Sequence, residues 1–287
     1  MTTNSPLSRP DWQTSKLKAL PPLSLYIHIP WCLKKCPYCD FNSHEIRGPS
    51  GQIPEEAYVA ALVRDLESAL SDVWGRRLGS IFFGGGTPSL LSAHAIDTIL
   101  TAVRTLLPIE HFAEITLEAN PGTFEAQKFA DFRQAGINRL SIGIQSFNGM
   151  HLRALGRVHD DQQAHQAVKI ARENFDNINL DLMYALPGQT LEEARNDIET
   201  ACTQGVTHIS AYHLTIEPNT LFHRYPPKLP DDEQAAAMQD MIEQITASHQ
   251  YRNYETSAFA RPGKESRHNV NYWLFGDYLG IGAGAHS

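Results

Sequence analysis

Only four cysteines occur in the 287 residues, and nowhere are there the ~18 consecutive apolar residues that a membrane-crossing helix needs. The second absence excludes a helical membrane span. The opening segment, MTTNSPLSRPDWQTSKLKALPP, lacks the apolar centre of a secretory leader, so a cytoplasmic protein is expected. Structural disulfides are rare in that reducing compartment, and a tight group of cysteines then points to a metal or redox site. Positive charge is also scarce. Lys and Arg number 24 against 32 Asp and Glu, a formal net charge of -8, which argues against an electrostatic hold on nucleic acid. Internal repeats and low-complexity tracts are lacking as well.

What remains is an ordinary globular composition, 42% hydrophobic and 20% charged, enough to bury a large core. Six β-rich runs alternate with helical stretches: LSLYIHIP, GSIFFGG, AEITLEAN, INRLSIGIQSF, NINLDLMYAL and HISAYHLTI. Such alternation is the mark of βα units around a parallel sheet buried on both faces. The clearest helix starts at Pro54 and sets Tyr58, Val59, Leu62, Val63, Leu66, Ala69, Leu70 and Val73 on one face. A seventh run, NYETSAFA, follows the helical DDEQAAAMQDMIEQITASHQ. The expected architecture is α/β, a partial (β/α)6 TIM-like barrel over residues 23–260. Residues 1–22, with four prolines, are expected as a flexible tail, and 261–287 as the start of a C-terminal region.

In βα barrels the chemistry gathers at the C-terminal ends of the strands. Each of the six runs ends there in an unusual turn: CLKKCPYC, GGGTPS, EANPG, QSF, LPGQT and TIEPN. The first holds Cys32, Cys36 and Cys39 within eight residues. Three readings compete for these thiols. A structural zinc would need His28 or His44 as a fourth ligand. A redox pair, Cys36 and Cys39, would leave Cys32 without a role. An iron-sulfur cube on three cysteines would leave one iron open to a ligand.

Cys-x3-Cys-x2-Cys after the first strand, with Tyr38 before its last cysteine and GGGTP after the second strand, resembles the radical S-adenosylmethionine (SAM) superfamily. The resemblance implies a 4Fe-4S cluster whose open iron binds SAM and whose electron cleaves it to a 5'-deoxyadenosyl radical. Within the superfamily, YIHIPWC, FGGGTPSLL, LEANPGT, RLSIGIQSFN, LGRVHD, NLDLMYALPGQT and HNVNYW resemble the coproporphyrinogen III dehydrogenase group (HemN) and its relatives, the HemW heme chaperones. These motifs cover nearly the whole chain from Tyr26 onward.

Carried onto this sequence, the resemblance makes Cys32, Cys36 and Cys39 the cluster ligands. Tyr26 and Tyr38 flank SAM beside the cluster, and Gly85, Gly86 and Thr87 let the backbone approach its amino group. Glu118 would bond the SAM ribose, Gln145 would find in SAM a partner for a strand-end amide, and Arg157 would fork onto its carboxylate. Asp181 and Thr215 complete the set, while Cys202 reads as a packing residue. The HNxxYW pattern resembles the HemW signature associated with heme. It makes His268 a candidate axial ligand, with Tyr272 and Trp273 offering apolar faces to the porphyrin.

Phe41 stands where the decarboxylating dehydrogenases carry a further cysteine, which favours the chaperone branch over porphyrin decarboxylation. The partners implied are heme, acceptor hemoproteins such as respiratory-chain proteins at the inner face of the membrane, and a reductant protein for the cluster. The family continues beyond YLGIGAGAHS, which it places against the SAM adenine, so a fragment or a shortened member is expected.

Overall fold

A computed structural model describes residues 19–46, 53–122 and 126–287; all of the expected N-terminal tail but residues 19–22 lies outside them. Strand β1 (Leu23–Ile29) is followed by two short strands, β2 (Trp31–Cys32) and β3 (His44–Glu45), and by helix α1 (Glu55–Ala69). The alternation continues through β4 (Leu78–Gly85), α2 (Ala93–Leu106), β5 (Ile109–Ala119), α3 (Ala126–Ala135) and β6 (Arg139–Gln145). Then come α4 (Gly149–Ala154), α5 (Asp161–Asn174), β7 (Ile178–Tyr184), α6 (Leu191–Thr203) and β8 (His208–His213). The chain ends with α7 (Leu221–Arg224), α8 (Asp232–Ser248), β9 (Arg252–Glu255), β10 (Ala258–Ala260), α9 (Arg267–Trp273) and β11 (Asp277–Ile281).

All six expected runs are strands of one nine-stranded sheet, in the order β11-β1-β4-β5-β6-β7-β8-β10-β9. From β11 to β8 the pairing is parallel, whereas β10 and β9 are antiparallel. The seventh run is therefore an edge hairpin. Residues 277–281, in a glycine-rich segment that reads poorly as strand, pair with β1 from Leu23↔Asp277 to Ile27↔Ile281. The segment set apart by sequence is thus built into the sheet. With β11 and β9 at opposite ends of the order, the sheet forms an open, partial barrel.

Helix starts follow from local chemistry. Asp160, Thr190 and Asp231 cap α5, α6 and α8, each in a reciprocal pair with Gln163, Glu193 or Gln234 three residues on. Strand residues alternate between the two faces. On one, Leu25, Ile27 and Ile29 of β1 pack in a single core with Leu62 and Leu66 of α1 and Ile96 and Ile99 of α2. Burial of each such side chain stabilises the fold by about 1.5–3 kcal/mol.

The other face of the sheet is polar. Ser24 and Ser80 bond across β1 and β4 at 2.8 Å, and buried Arg139 lies 4.0 Å from Glu114. Register aligns Tyr26, Phe82, Thr116 and Arg139 in one row, and Glu118, Ser141, Asn179 and His208 in a row nearer the C-terminal ends of the strands. Helix α9 covers the first row. Its N-terminus is tied down by Glu114, which accepts from the Ser266 hydroxyl at 3.4 Å and the Arg267 amide at 3.0 Å. His268 then stacks on Phe82, with ring centroids 4.4 Å apart.

Candidate cofactor site

The cysteine loop leaves β1 and is closed at its base by the β2–β3 ribbon, with Cys32 paired to Glu45. Lys35 braces it from inside. Its amide bonds Glu45 at 3.0 Å, and its ammonium donates to the carbonyls of Phe41 and Ser43 at 2.9 and 3.1 Å. The Cys39 amide turns back onto the Cys36 carbonyl at 3.1 Å, so both thiols project from one tight turn. Tyr38 anchors that turn by packing against the buried cluster of Leu155, Leu186, Leu214 and Phe222.

Cys32, Cys36 and Cys39 open onto a cavity of about 380 Å³ at the C-terminal ends of the strands. Tyr38, Gly85, Gly86, Thr87, Glu118, Gln145, Arg157, Asp181 and Thr215 line the same cavity. They come from the loop after β1 and from the next five parallel strands or the turns that follow them. Tyr26 and His268 do not line it. Tyr26 lies one row below, with its hydroxyl 3.1 Å from His28 Nδ1, and the other His28 nitrogen meets the Asn42 carbonyl at 2.8 Å. With both ring nitrogens engaged, His28 is not free to serve as a fourth zinc ligand. Among the described residues no three His, Cys, Asp or Glu converge as ligands of a single ion.

The glycine turn after β4 is stitched to the cysteine loop. The Gly86 amide donates to Ile29 O and the Thr87 amide to Trp31 O, each at 2.7 Å. A Cβ on Gly86 would stand 2.5 Å from Trp31 O and 2.8 Å from Trp31 C, backbone atoms that cannot swing aside. Gly86→Ala is therefore expected to cost about 1–3 kcal/mol, as overpacking does. A fall in thermal midpoint checks this, and an unchanged midpoint would contradict so close an approach.

Arg157 crosses the cavity wall. It donates to Asn120 Oδ1 at 2.6 Å, to Gly143 O at 2.7 Å and to Cys36 Sγ at 3.6 Å, while its Nε is buried without a hydrogen-bond partner among the described residues. Such an orphan donor suits an anionic ligand. Asn120, which sequence reasoning passed over, links Arg157 to the Thr87 hydroxyl at 2.9 Å. Its signal was present in EANPG, next to Glu118.

Two carboxyls stand deep in the wall. Burial, and then the neighbouring Asp181, push Glu118 up to about 8, against the Gly85 amide that donates to it at 3.2 Å. Burial also raises Asp181, which Ser141 and Asn179 hold at 2.8 Å each. Tyr212 is a further wall residue that the sequence did not single out. Burial raises the thiols of Cys32 and Cys39, against hydrogen bonds that favour their ionised form.

His268, the candidate axial ligand, is only 7% exposed, in helix α9. Burial, and then Arg139, hold its imidazole down at about 3, which keeps it neutral. Behind it, Trp273 is 56% and Phe275 89% exposed.

A partial parallel barrel with three free thiols, a glycine turn and buried acids at one rim defines a protein of the radical SAM superfamily. That family's model matches residues 26–201, and the chain belongs to it. Its curated relatives include the heme chaperone HemW of Escherichia coli (strain K12), 54% identical over 272 residues, covering 93% of this chain and 70% of that protein. The heme chaperone HemW of Bacillus subtilis (strain 168) is 39% identical over 269 residues, covering 92% and 70%. At these identities the chain belongs to the HemW family. Among solved structures, coproporphyrinogen III oxidase (HemN) from Escherichia coli superposes with a TM-score of 0.79 at 27% identity. The match covers 93% of this chain, which spans 64% of that one.

Superfamily membership implies a 4Fe-4S cluster and SAM. The donor set fits both groups: three thiols on one cavity, a backbone cradle that a Cβ at Gly86 would fill, and a buried guanidinium with an unused donor.

Proposed function

We propose that the chain is a heme chaperone of the HemW type, binding a 4Fe-4S cluster, SAM and heme and passing heme to acceptor hemoproteins. The observation that carries this reading is the pairing of a cavity lined by three thiols with the HNxxYW helix packed on the adjoining row of the barrel. Cys32, Cys36 and Cys39 hold the cluster. When bound, the cluster and SAM supply one-electron chemistry at the open iron.

Each cavity residue then has a physical task. Arg157 offers its unused N–H to the SAM carboxylate. Backbone groups around Gly85, Gly86 and Thr87 receive the amino group. Glu118, with Asp181 and Ser141 behind it, faces the ribose hydroxyls. Gln145 and Thr215 bound the far wall, and Tyr26 supports the floor from below.

Heme is assigned to the exposed end of α9 and the turn after it, where Tyr272, Trp273, Leu274 and Phe275 present apolar surface. His268 has the neutral imidazole that ligation requires, yet at 7% exposure it reaches heme only if the start of α9 turns outward. Among the described residues no helix is long and apolar enough to cross a membrane.

The test is anaerobic. Reconstituted protein given SAM, a reductant and coproporphyrinogen III is expected to form no protoporphyrinogen, in keeping with exposed Phe41, in place of a thiol, at the cavity mouth. It is expected to bind heme and transfer it to an apo-hemoprotein, and His268→Ala is expected to change the heme spectrum. Sustained decarboxylation, in this chain or in a longer form carrying the family's C-terminal region, would overturn the chaperone reading.

A further inference from the structure

Gln145 ends β6 in an unusual conformation. It has a Cβ, yet its φ is 65°, and the amide of Ser146 bonds the carbonyl of Ile144 across it at 2.9 Å. A tight turn of that hand is strained for any residue but glycine. The pairing of β6 with β7 also shifts register there, between Gly143 and Gln145. From this turn Gln145 lines the cavity wall. A strained turn persists only where its surroundings hold it.

The hold comes from a helix outside the cavity. Asp197 on α6 accepts the Ser146 hydroxyl at 2.6 Å with one carboxylate oxygen and the Phe147 amide at 2.7 Å with the other. The Ser146 oxygen in turn accepts the Asn148 amide at 3.0 Å, and the Asn148 side chain caps α4. Thus the two residues after Gln145 are gripped by one carboxylate, from 51 residues further along the chain at Ser146.

Stability alone does not account for this acid. Asp197 is 4% exposed, and burial pushes its carboxyl up to about 6 despite both hydrogen bonds and His151 nearby, with the like charge of Glu193 adding to the rise. A raised carboxyl favours the protonated fold, so ionised Asp197 costs folding free energy at neutral pH. Its short, charge-assisted bonds define geometry instead.

We infer that Asp197 is a positioning residue of the cofactor cavity, clamping the turn after β6 so that Gln145 faces SAM. The inference rests on the reading above that Gln145 contacts SAM.

A double-mutant cycle on the cluster-reconstituted chain tests it, with SAM as the titrant. Gln145→Ala and Asp197→Ala are each expected to weaken SAM binding about tenfold, with iron and sulfide content unchanged. The double variant is expected to bind no more weakly than Gln145→Ala alone, because a clamp has nothing to position once the amide is gone. Asp197→Asn keeps an acceptor for the Phe147 amide and avoids the buried charge. It is expected to fold with an unchanged or higher thermal midpoint and still to lose about threefold in SAM affinity. If Gln145→Ala weakens SAM while Asp197→Ala and Asp197→Asn do not, or if the two alanine effects simply add, the clamp is overturned and the SAM site stands. If Gln145→Ala leaves affinity unchanged, the contact itself is wrong and the clamp falls with it.

Discussion

Serine at any one of positions 32, 36 or 39 is expected to strip the cluster, from about four irons per chain to almost none after anaerobic reconstitution. The reason is geometric. Each thiol supplies one corner of the cube, and the three stand on one cavity with no other cysteine lining it. Cys202→Ser should leave iron and sulfide unchanged, because that thiol sits in α6 within the apolar core, where burial pushes it up to about 12. Iron and sulfide assays with optical and paramagnetic spectra decide the matter. A Cys36→Ser protein with a full cluster would refute the assignment, and one zinc per chain without sulfide would favour a structural metal site.

SAM binding is expected to tighten as the pH rises from 6 to 8, by up to about tenfold per unit, and to level off above. The sign follows from Glu118. In the ligand-free protein its carboxyl is held up to about 8 by burial and Asp181, so at pH 7 it is mostly protonated. The SAM sulfonium and ribose hydroxyls favour the carboxylate, so binding releases a proton in this window. Stability of the ligand-free protein runs the other way. A folded value above the ordinary 4.5 makes the fold the better proton binder, and the contribution of Glu118 is lost between about 4.5 and about 8. Calorimetry in buffers of different ionisation enthalpy reads the proton directly. Glu118→Gln is expected to bind SAM more weakly and with no pH dependence in this range, and a wild-type affinity flat from pH 6 to 8 would contradict the buried neutral acid.

The strands, and the rim on which the chemistry would gather, could be read from the chain alone because both depend on local signals. Apolar runs such as LSLYIHI and INLDLMY mark strands buried on both faces, and glycine, proline and cysteine punctuate the turns that follow them. Three clustered thiols beside GGGTP narrow the metal chemistry in the sequence itself. Tertiary structure decided what depends on pairing between distant segments. β11 is a strand because β1 offers it a parallel edge, not because Gly280 favours one. His268 looks like a free ligand in sequence, yet the inner face of β4 gives its ring a stacking partner in Phe82 and removes it from water. Glu118 reads as an ordinary acid until the curl of the sheet sets it in the cavity wall and brings Asp181 into its field. Asp197 carries no motif. Its importance comes from α6 meeting the turn after β6, a contact set by packing across the barrel wall, to which no local pattern of residues is bound.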